Sequence, residues 1–268
     1  MPAQLMIFTD LDGCLLNKSD YDWSAAKPIL QQLKRLRIPV VLNSSKTAAE
    51  MRQLATEFQL SHLPFISENG GVIQWNDLVP DKQPALQVLG VQRSVILELL
   101  SQQKQKFRFR SFFDLGVAGI MQATDLDANK AALANDRQST EPLLWDDTEA
   151  ALHDFRNVVE DAGLTLTRGG RFWHVTGQNA KGTAMQVVAD RFAKEYSPNS
   201  IVTAGIGDSP IDQTMLDVAD YPIGIPAAGA LNVRIDPQQG IVASEEGSTG
   251  WADAVTILLK RCGITKEG

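Results

Sequence analysis

The chain has 268 residues, 44% of them hydrophobic, enough to bury one large core or two modest ones. With 25 basic against 32 acidic residues the formal net charge is −7, so a charge-driven grip on nucleic acid is not expected. No apolar run reaches the roughly 18 residues of a membrane span, and "MPAQLMIFTD" lacks the basic opening and small-residue cleavage site of a secretory leader. Cys14 and Cys262 form no C-x-x-C pair, which argues against a disulfide framework or zinc ribbon, and both read as small core hydrophobes. A cytoplasmic protein with neither nucleic acid nor membrane as partner is the expectation; self-association is left unspecified.

Residues 5 to about 80 alternate strand and helix patterns. "LMIFTD" is a short apolar run, and 24–37 then carries Ile29, Leu30, Leu33 and Leu36 at helical spacing, with Pro28 tolerated in the first turn. "IPVVLNS" reads as a second strand. Thr47 followed by Glu50 predicts a capping box that opens a helix burying Met51, Leu54, Ala55 and Phe58. "LPFISENGG" predicts a third strand closed by a glycine turn. Strands alternating with amphipathic helices build parallel sheets covered on both faces, so an α/β core is expected.

From about 84 to 176 the pattern changes. "FRFRSFF" and "RFWHVT" alternate apolar and polar residues as half-exposed antiparallel strands do, with helices expected over 91–103, 124–138 and 148–162. Thr124 with Asp127 is expected to open the second helix, and Gly169-Gly170 to turn the chain between the last two strands. After 176 the first texture returns, with a helix from 183, the strand "IVTAGIGD", a helix after Ser209-Pro210, and "YPIGI". The domain expectation is therefore a core built from 1–83 and 177–268, interrupted by an α+β insertion over 84–176.

Open parallel sheets place ligands beyond the carboxyl ends of their strands. Asp10 and Asp12 fall at the end of strand one; Ser44, Ser45 and Lys46 at the end of strand two. Lys181 precedes the helix after the insertion, and Asp208 with Asp212 follows "IVTAGIG". Taken singly, Asp212 reads as the acid of a Ser209 capping box and Ser44 as a hydroxyl at a helix approach. Taken together, three carboxylates at adjacent strand ends with few histidines nearby form a hard oxygen site suited to Mg²⁺ and a substrate phosphate. The cation makes the Asp10/Asp12 pair tolerable, Lys181 would screen a carboxylate from a phosphoryl group, and Ser44 would donate to a phosphoryl oxygen.

Asp10-Leu11-Asp12-Gly13, Ser44, Lys181-Gly182 and Gly207-Asp208 followed by Asp212 resemble the four motifs of the haloacid dehalogenase superfamily of phosphohydrolases, in that family's order. The insertion sits between the second and third motifs, as in the larger-capped branch. Within it, "YDW" at 21–23, "NSSKTAAEM" at 43–51, "PFISENGG" at 64–71 and "GGRFWHV" at 169–175 are similar to the mannosyl-3-phosphoglycerate phosphatases. The resemblance implies a three-layer Rossmann-like core with an inserted α+β cap. It implies that Asp10 attacks phosphorus and that Asp12 is the acid and then the base, an assignment spacing alone leaves open. Mg²⁺ would be held by Asp10, the Asp12 main-chain carbonyl and Asp208, with Asp212 orienting Lys181 or supporting the metal site. Two positions depart from the pattern: Cys14 stands where Thr is usual, and Ile211 where Asn is usual.

Other motifs carry less. "DLDANK" at 125–130 imitates a Ca²⁺ loop but has Lys130 at its glycine position. Gly205-Ile206-Gly207 lacks the third glycine of a dinucleotide fingerprint. His62, His153 and His174 are scattered, without support for a Ser-His-Asp triad.

For the insertion, substrate selection is the expected role. Arg168 and Arg171 flank a glycine turn where a guanidinium could take a glycerate carboxylate, or they are surface arginines of a hairpin. Glu68 and Asn69 could bind sugar hydroxyls, or Asn69-Gly70 only makes a turn. "FRFR" at 107–110 reads as an exposed strand face. The expected activity is hydrolysis of a small sugar phosphate, with a sucrose- or trehalose-phosphate-type or broad phosphatase, a phosphomutase and a non-enzymatic phospho-ligand sensor as alternatives.

Overall fold

Strand β1 (Gln4–Thr9) shows why the core has three layers: Leu5 and Ile7 enter one buried cluster and Met6 and Phe8 another, so both faces of the strand are covered. The chain is represented by a computed structural model that describes residues 4–76, 85–169, 171–196 and 201–264. After β1 come α1 (Lys27–Arg35), β2 (Val40–Asn43), α2 (Ala48–Glu57), β3 (Phe65–Ser67), a 3-10 turn at Glu68–Gly70, β4 (Val72–Gln74) and β5 (Leu86–Val88). The insertion holds α3 (Arg93–Gln103), β6 (Phe109–Ser111), α4 (Phe112–Thr124), α5 (Ala128–Asn135), β7 (Thr140–Trp145), α6 (Glu149–Asp161), β8 (Thr165–Arg168) and β9 (Trp173–Thr176). The core resumes with α7 (Lys181–Tyr196), β10 (Ile201–Gly207), a 3-10 turn at Pro210–Asp212, α8 (Gln213–Val218), β11 (Tyr221–Gly224), β12 (Ile241–Val242) and α9 (Gly247–Arg261).

Among the described residues the core strands form one sheet in the order β12-β11-β10-β1-β2-β3-β4-β5. It is parallel from β12 to β3, and β4 and β5 continue it antiparallel. The expected α/β fold with a mainly parallel sheet is present. Strand register gathers the polar residues: Thr9 lies beside Leu42 on β2 and Ile206 on β10, so Asp10, Ser44 and Asp208 emerge from the carboxyl ends of three neighbouring strands.

The insertion is an antiparallel sheet, β6-β7-β9-β8. Phe107, Phe109, Leu143, Leu166 and Val175 pack with Ile96 and Leu100 of α3 and Phe155 and Val159 of α6 into its core, while Phe112, Ile120, Ala131 and Ala134 of α4 and α5 form a second cluster. "FRFR" divides as expected: the two Phe are buried, and Arg108 and Arg110 pair outward with Asp147 and Asp146.

The structure corrects several expectations here. "FRFRSFF" is strand only to Ser111, because Ser111 and Asp114 form a capping box and start α4 at Phe112. The helix expected over 124–138 is instead α5, beginning at Ala128. Asp125 ends α4 in the left-handed region at φ 63°, and Asp127, not Thr124, accepts from the Lys130 amide as N-cap. Asp125 and Asp127 of "DLDANK" thus serve helix ends. The expected boundary at 83/84 falls in 77–84, outside the described residues; β5, assigned by the sequence to the insertion, extends the core sheet. Gly170 also lies outside them, and Gly169 closes its turn by donating from its amide to the Phe172 carbonyl at 2.9 Å.

Candidate active site

Asp10 follows directly from β1, with its amide donating to the Ile206 carbonyl at 2.9 Å and its side chain nearly buried. Thr9, which receives the Trp251 indole N–H at 2.9 Å and donates to the Asp10 carbonyl at 2.7 Å, fixes the backbone there. The Lys181 Nζ lies 2.7 Å from Asp10 Oδ1 and 2.6 Å from Asp212 Oδ1. Lys181 reaches this point as the first residue of α7, whose backbone is tied to β2 by Asn43: its Nδ2 donates to the Lys181 carbonyl at 3.2 Å. Asp212 Oδ2 accepts from the Asp208 amide, the Ser209 amide and the Ser209 hydroxyl at 3.2, 3.0 and 2.7 Å. One Asp212 oxygen thus closes the capping box while the other accepts from the lysine.

The electrostatics point to a missing positive charge. Although burial alone would lower it, the Asp10 and Asp212 carboxylates raise the Lys181 ammonium above its ordinary value, so the lysine stays charged. Burial pushes Asp10 up to about 7, with Lys181 pulling the other way and Asp212 and Asp12 adding to the rise. Asp208 is raised as well, by burial and then by Asp212. Among the described residues Lys181 is the one buried ammonium facing the three buried carboxylates of Asp10, Asp208 and Asp212, which leaves them short of positive charge.

A divalent cation fits this shortage. Carboxylate oxygens of Asp10 and Asp208 and the Cys14 sulfur all lie within 4.8 Å of one another. The hard oxygens suit Mg²⁺. The Cys14 thiol, pushed well above its ordinary value by burial and by the Asp10 and Asp208 charges, stays neutral and is a poor partner for a hard ion. Gly13 leaves the space open: at φ 89°, a Cβ there would stand 2.6 Å from Asp208 Oδ2. Asp12 Oδ1 is buried without a hydrogen-bond partner.

Of the remaining sequence candidates, Ser44 is buried and its hydroxyl accepts weakly from the Lys46 amide at 3.4 Å, while Ser45 is half-buried on the same loop. Lys46 holds Asp12 Oδ2 at 2.8 Å, a contact that no local sequence pattern marks. Lys18, which the sequence also did not mark, lies 3.5 Å from Asp208 Oδ2. Glu68 is contrary to expectation: it is fully buried and both carboxylate oxygens are engaged, so none is offered to a sugar hydroxyl. Asn69 at φ 56° and Gly70 at φ 90° make the turn. Arg171 donates to the Ala123 carbonyl and pairs with Asp125 at 3.7 Å, and Arg168 lies over the Trp173 ring, 5.1 Å from its centroid. Ile211 is partly exposed.

Two cavities are lined by residues that contact the carboxylates, Lys18 in one and Lys46 in the other. One of about 720 Å³ opens beside Gly13, Lys18 and Glu246. The other, of about 420 Å³, lies between core and cap, with Tyr21, Lys46 and Glu50 on one side and Leu126, Lys130 and Leu133 on the other.

A family model of haloacid dehalogenase-like hydrolases matches residues 7–229. The chain belongs to this family. This hydrolase also resembles solved structures along nearly its full length. The 0175 protein of Thermoplasma acidophilum is 16% identical with a TM-score of 0.67, covering 99% of this chain and 100% of that one. A haloacid dehalogenase-like hydrolase from B. subtilis is 19% identical with a TM-score of 0.60, over 95% and 98%. BT1666 from Bacteroides thetaiotaomicron, described among the phosphatases of the haloalkanoate (HAD) enzyme superfamily, is 15% identical with a TM-score of 0.64, over 98% and 96%. At such identities the likeness establishes the fold. Among the described residues no helix is long and apolar enough to cross a membrane.

Proposed function

We propose that this hydrolase is a Mg²⁺-dependent phosphatase of a small sugar phosphate, with mannosyl-3-phosphoglycerate or its glucosyl analogue as substrate and a glycosylglycerate as product. The observation that carries the phosphatase reading is the Lys181 ammonium held between Asp10 and Asp212, beside Asp208. The phosphatase description of BT1666 supports the same chemistry. The finer substrate rests on the motif stretches at 21–23, 43–51, 64–71 and 169–175.

The chain's own groups divide the work. Lys181 engages Asp10 Oδ1, which leaves Oδ2 to attack phosphorus and form an aspartyl-phosphate as the ester oxygen departs. Asp12 supplies that oxygen with a proton through Oδ1, while Lys46 fixes Oδ2. Asp12 then takes a proton from water, which cleaves the acyl phosphate and restores Asp10. Ser44 donates to a phosphoryl oxygen. Asp10, Asp208 and the Asp12 carbonyl would hold Mg²⁺, which would supply positive charge to the phosphoryl oxygens. The leaving sugar occupies the 420 Å³ cavity next to Lys46, where Tyr21 offers a ring face and Lys130 a cation. Arg168 and Arg171 would take a carboxylate by exchanging their Trp173 and Asp125 contacts for it.

A second reading, a broad sugar-phosphate phosphatase, is favoured by the Asp20, Glu50 and Glu57 carboxylates in that cavity, which suit sugar hydroxyls better than a second anion. Phosphate release from a substrate panel in Mg²⁺ separates the two. Turnover of mannosyl- or glucosyl-3-phosphoglycerate well above neutral sugar phosphates supports the first, even rates the second, and ligand binding without release would reject hydrolysis in favour of a sensor.

A further inference from the structure

Glu68 has no place in the phosphatase chemistry, yet among the described residues it is the most heavily bonded carboxylate between the two parts of the chain. Its Oε1 accepts from the Gln138 amide at 2.8 Å; its Oε2 accepts from the Ser139 amide at 2.9 Å and the Thr140 hydroxyl at 2.7 Å. All three donors belong to the segment 138–140 that leads into β7 in the cap. Thr140 is itself fixed by Arg137, whose Nη1 donates to the same hydroxyl oxygen at 2.7 Å. The Gln138 carbonyl in turn accepts from the Arg93 amide, the first residue of α3, at 2.7 Å. The carboxylate therefore grips the cap where its chain segments meet.

The backbone of the same turn grips the catalytic loops. The Glu68 amide donates to the Lys46 carbonyl at 2.9 Å and the Asn69 amide to the Ser44 carbonyl at 3.0 Å. The Asn179 amide group, two residues before Lys181, donates to the Glu68 and Asn69 carbonyls at 3.3 and 3.4 Å. Gly70 packs directly on the Ala180 carbonyl, where a Cβ would clash. To do both, Glu68 and Asn69 adopt the left-handed region, at φ 52° and 56°, which is unfavourable for residues other than glycine and is held here by the contacts on each side.

We propose that Glu68 is a positioning residue that sets the cap's register on the Ser44–Lys46 loop, and so aligns the leaving-group cavity with Asp12. This rests on the phosphatase reading and adds the residue through which substrate selection depends on the cap. It touches no reacting atom. A ligand that reaches only the phosphate site should not sense it, whereas a sugar phosphate that spans core and cap should.

The test compares p-nitrophenyl phosphate with a sugar phosphate from the panel in wild type and Glu68→Gln, whose amide would face backbone N–H donors with one of its own. The expected result is a rise of at least about tenfold in KM for the sugar phosphate, with kcat/KM for the aryl phosphate changed less than about twofold. Thr140→Val, which removes one donor of the three, should move the same ratio less and in the same direction. Equal losses on both substrates, a loss on the aryl phosphate alone, or no change on either would overturn the proposal. Amide hydrogen exchange at Gln138 and Ser139 gives an answer independent of turnover: faster exchange in Glu68→Gln is expected, and unchanged exchange overturns the proposal. A wild type that hydrolyses no phosphate ester rejects the phosphatase reading, and exchange then decides the Glu68 clamp alone.

Discussion

The Lys181 ammonium sits 2.7 Å from the Asp10 carboxylate across a sequence separation of 171 residues, and 2.6 Å from Asp212. It is the one cation among the described residues that touches two of the buried acids, so its removal leaves both uncompensated. Lys181→Met is expected to lower kcat by about a hundredfold or more and to destabilise the fold by about 3–5 kcal/mol. Turnover under saturating substrate and urea unfolding of the same preparation check the two effects.

Metal removal should act on the same cluster. Chelation is expected to abolish phosphate release and Mg²⁺ to restore it, and binding should raise the unfolding midpoint. At a Mg²⁺ concentration a hundred times Kd the added stability is about 2.7 kcal/mol. Thermal unfolding with and without the ion measures it. Asp208→Asn should lose this stabilisation, since Asp208 is one of the clustered oxygens.

Thr47 serves two elements at once. Its hydroxyl accepts from the Glu50 amide at 3.2 Å as the N-cap of α2, and donates to the Leu133 carbonyl at the cap's α5 at 2.8 Å. Thr47→Ala is expected to cost about 1–2 kcal/mol, toward the upper end of a lost N-cap because a contact between core and cap goes with it. Denaturant unfolding gives the value, and Thr47→Ser should recover most of it.

His174, on β9, is held down to about 3 from an ordinary 6.5 by burial and then by the Arg137 charge. The unfolded imidazole binds a proton below about 6.5 while the folded one does not. Its contribution to stability is therefore complete above 6.5 and falls as pH drops toward 3, by at most about 1.4 kcal/mol per unit. Wild type should lose more stability than His174→Asn between pH 6.5 and 5, as read by urea midpoints at each pH. A wild-type curve parallel to the variant's would remove His174 from the account.

Local patterns made much of this legible in the sequence. The apolar run into Asp10, the Thr47/Glu50 capping box and the Ser209/Asp212 turn are written over a few neighbouring residues, and each forms as read. The alternation of strands and helices then places Asp10, Ser44 and Asp208 at adjoining strand ends. What was not legible depends on distant partners. Glu68 reads as a polar residue after a strand and becomes a buried clamp only because residues 138–140 arrive beside it. Lys46 reads only as one of the polar residues at the end of strand two and is found on Asp12. The start of helix α4 is hidden because Phe107 to Phe113 alternate as a strand does, although Ser111 and Asp114 cap the helix.

The central claim is that Asp10 is the nucleophile of a phosphatase site. Phosphate release by Asp10→Asn, in a preparation whose circular dichroism and unfolding midpoint show a native fold, tests it most directly. The account predicts turnover reduced to background on every ester that wild type hydrolyses. A folded Asp10→Asn variant releasing phosphate at the wild-type rate would contradict it.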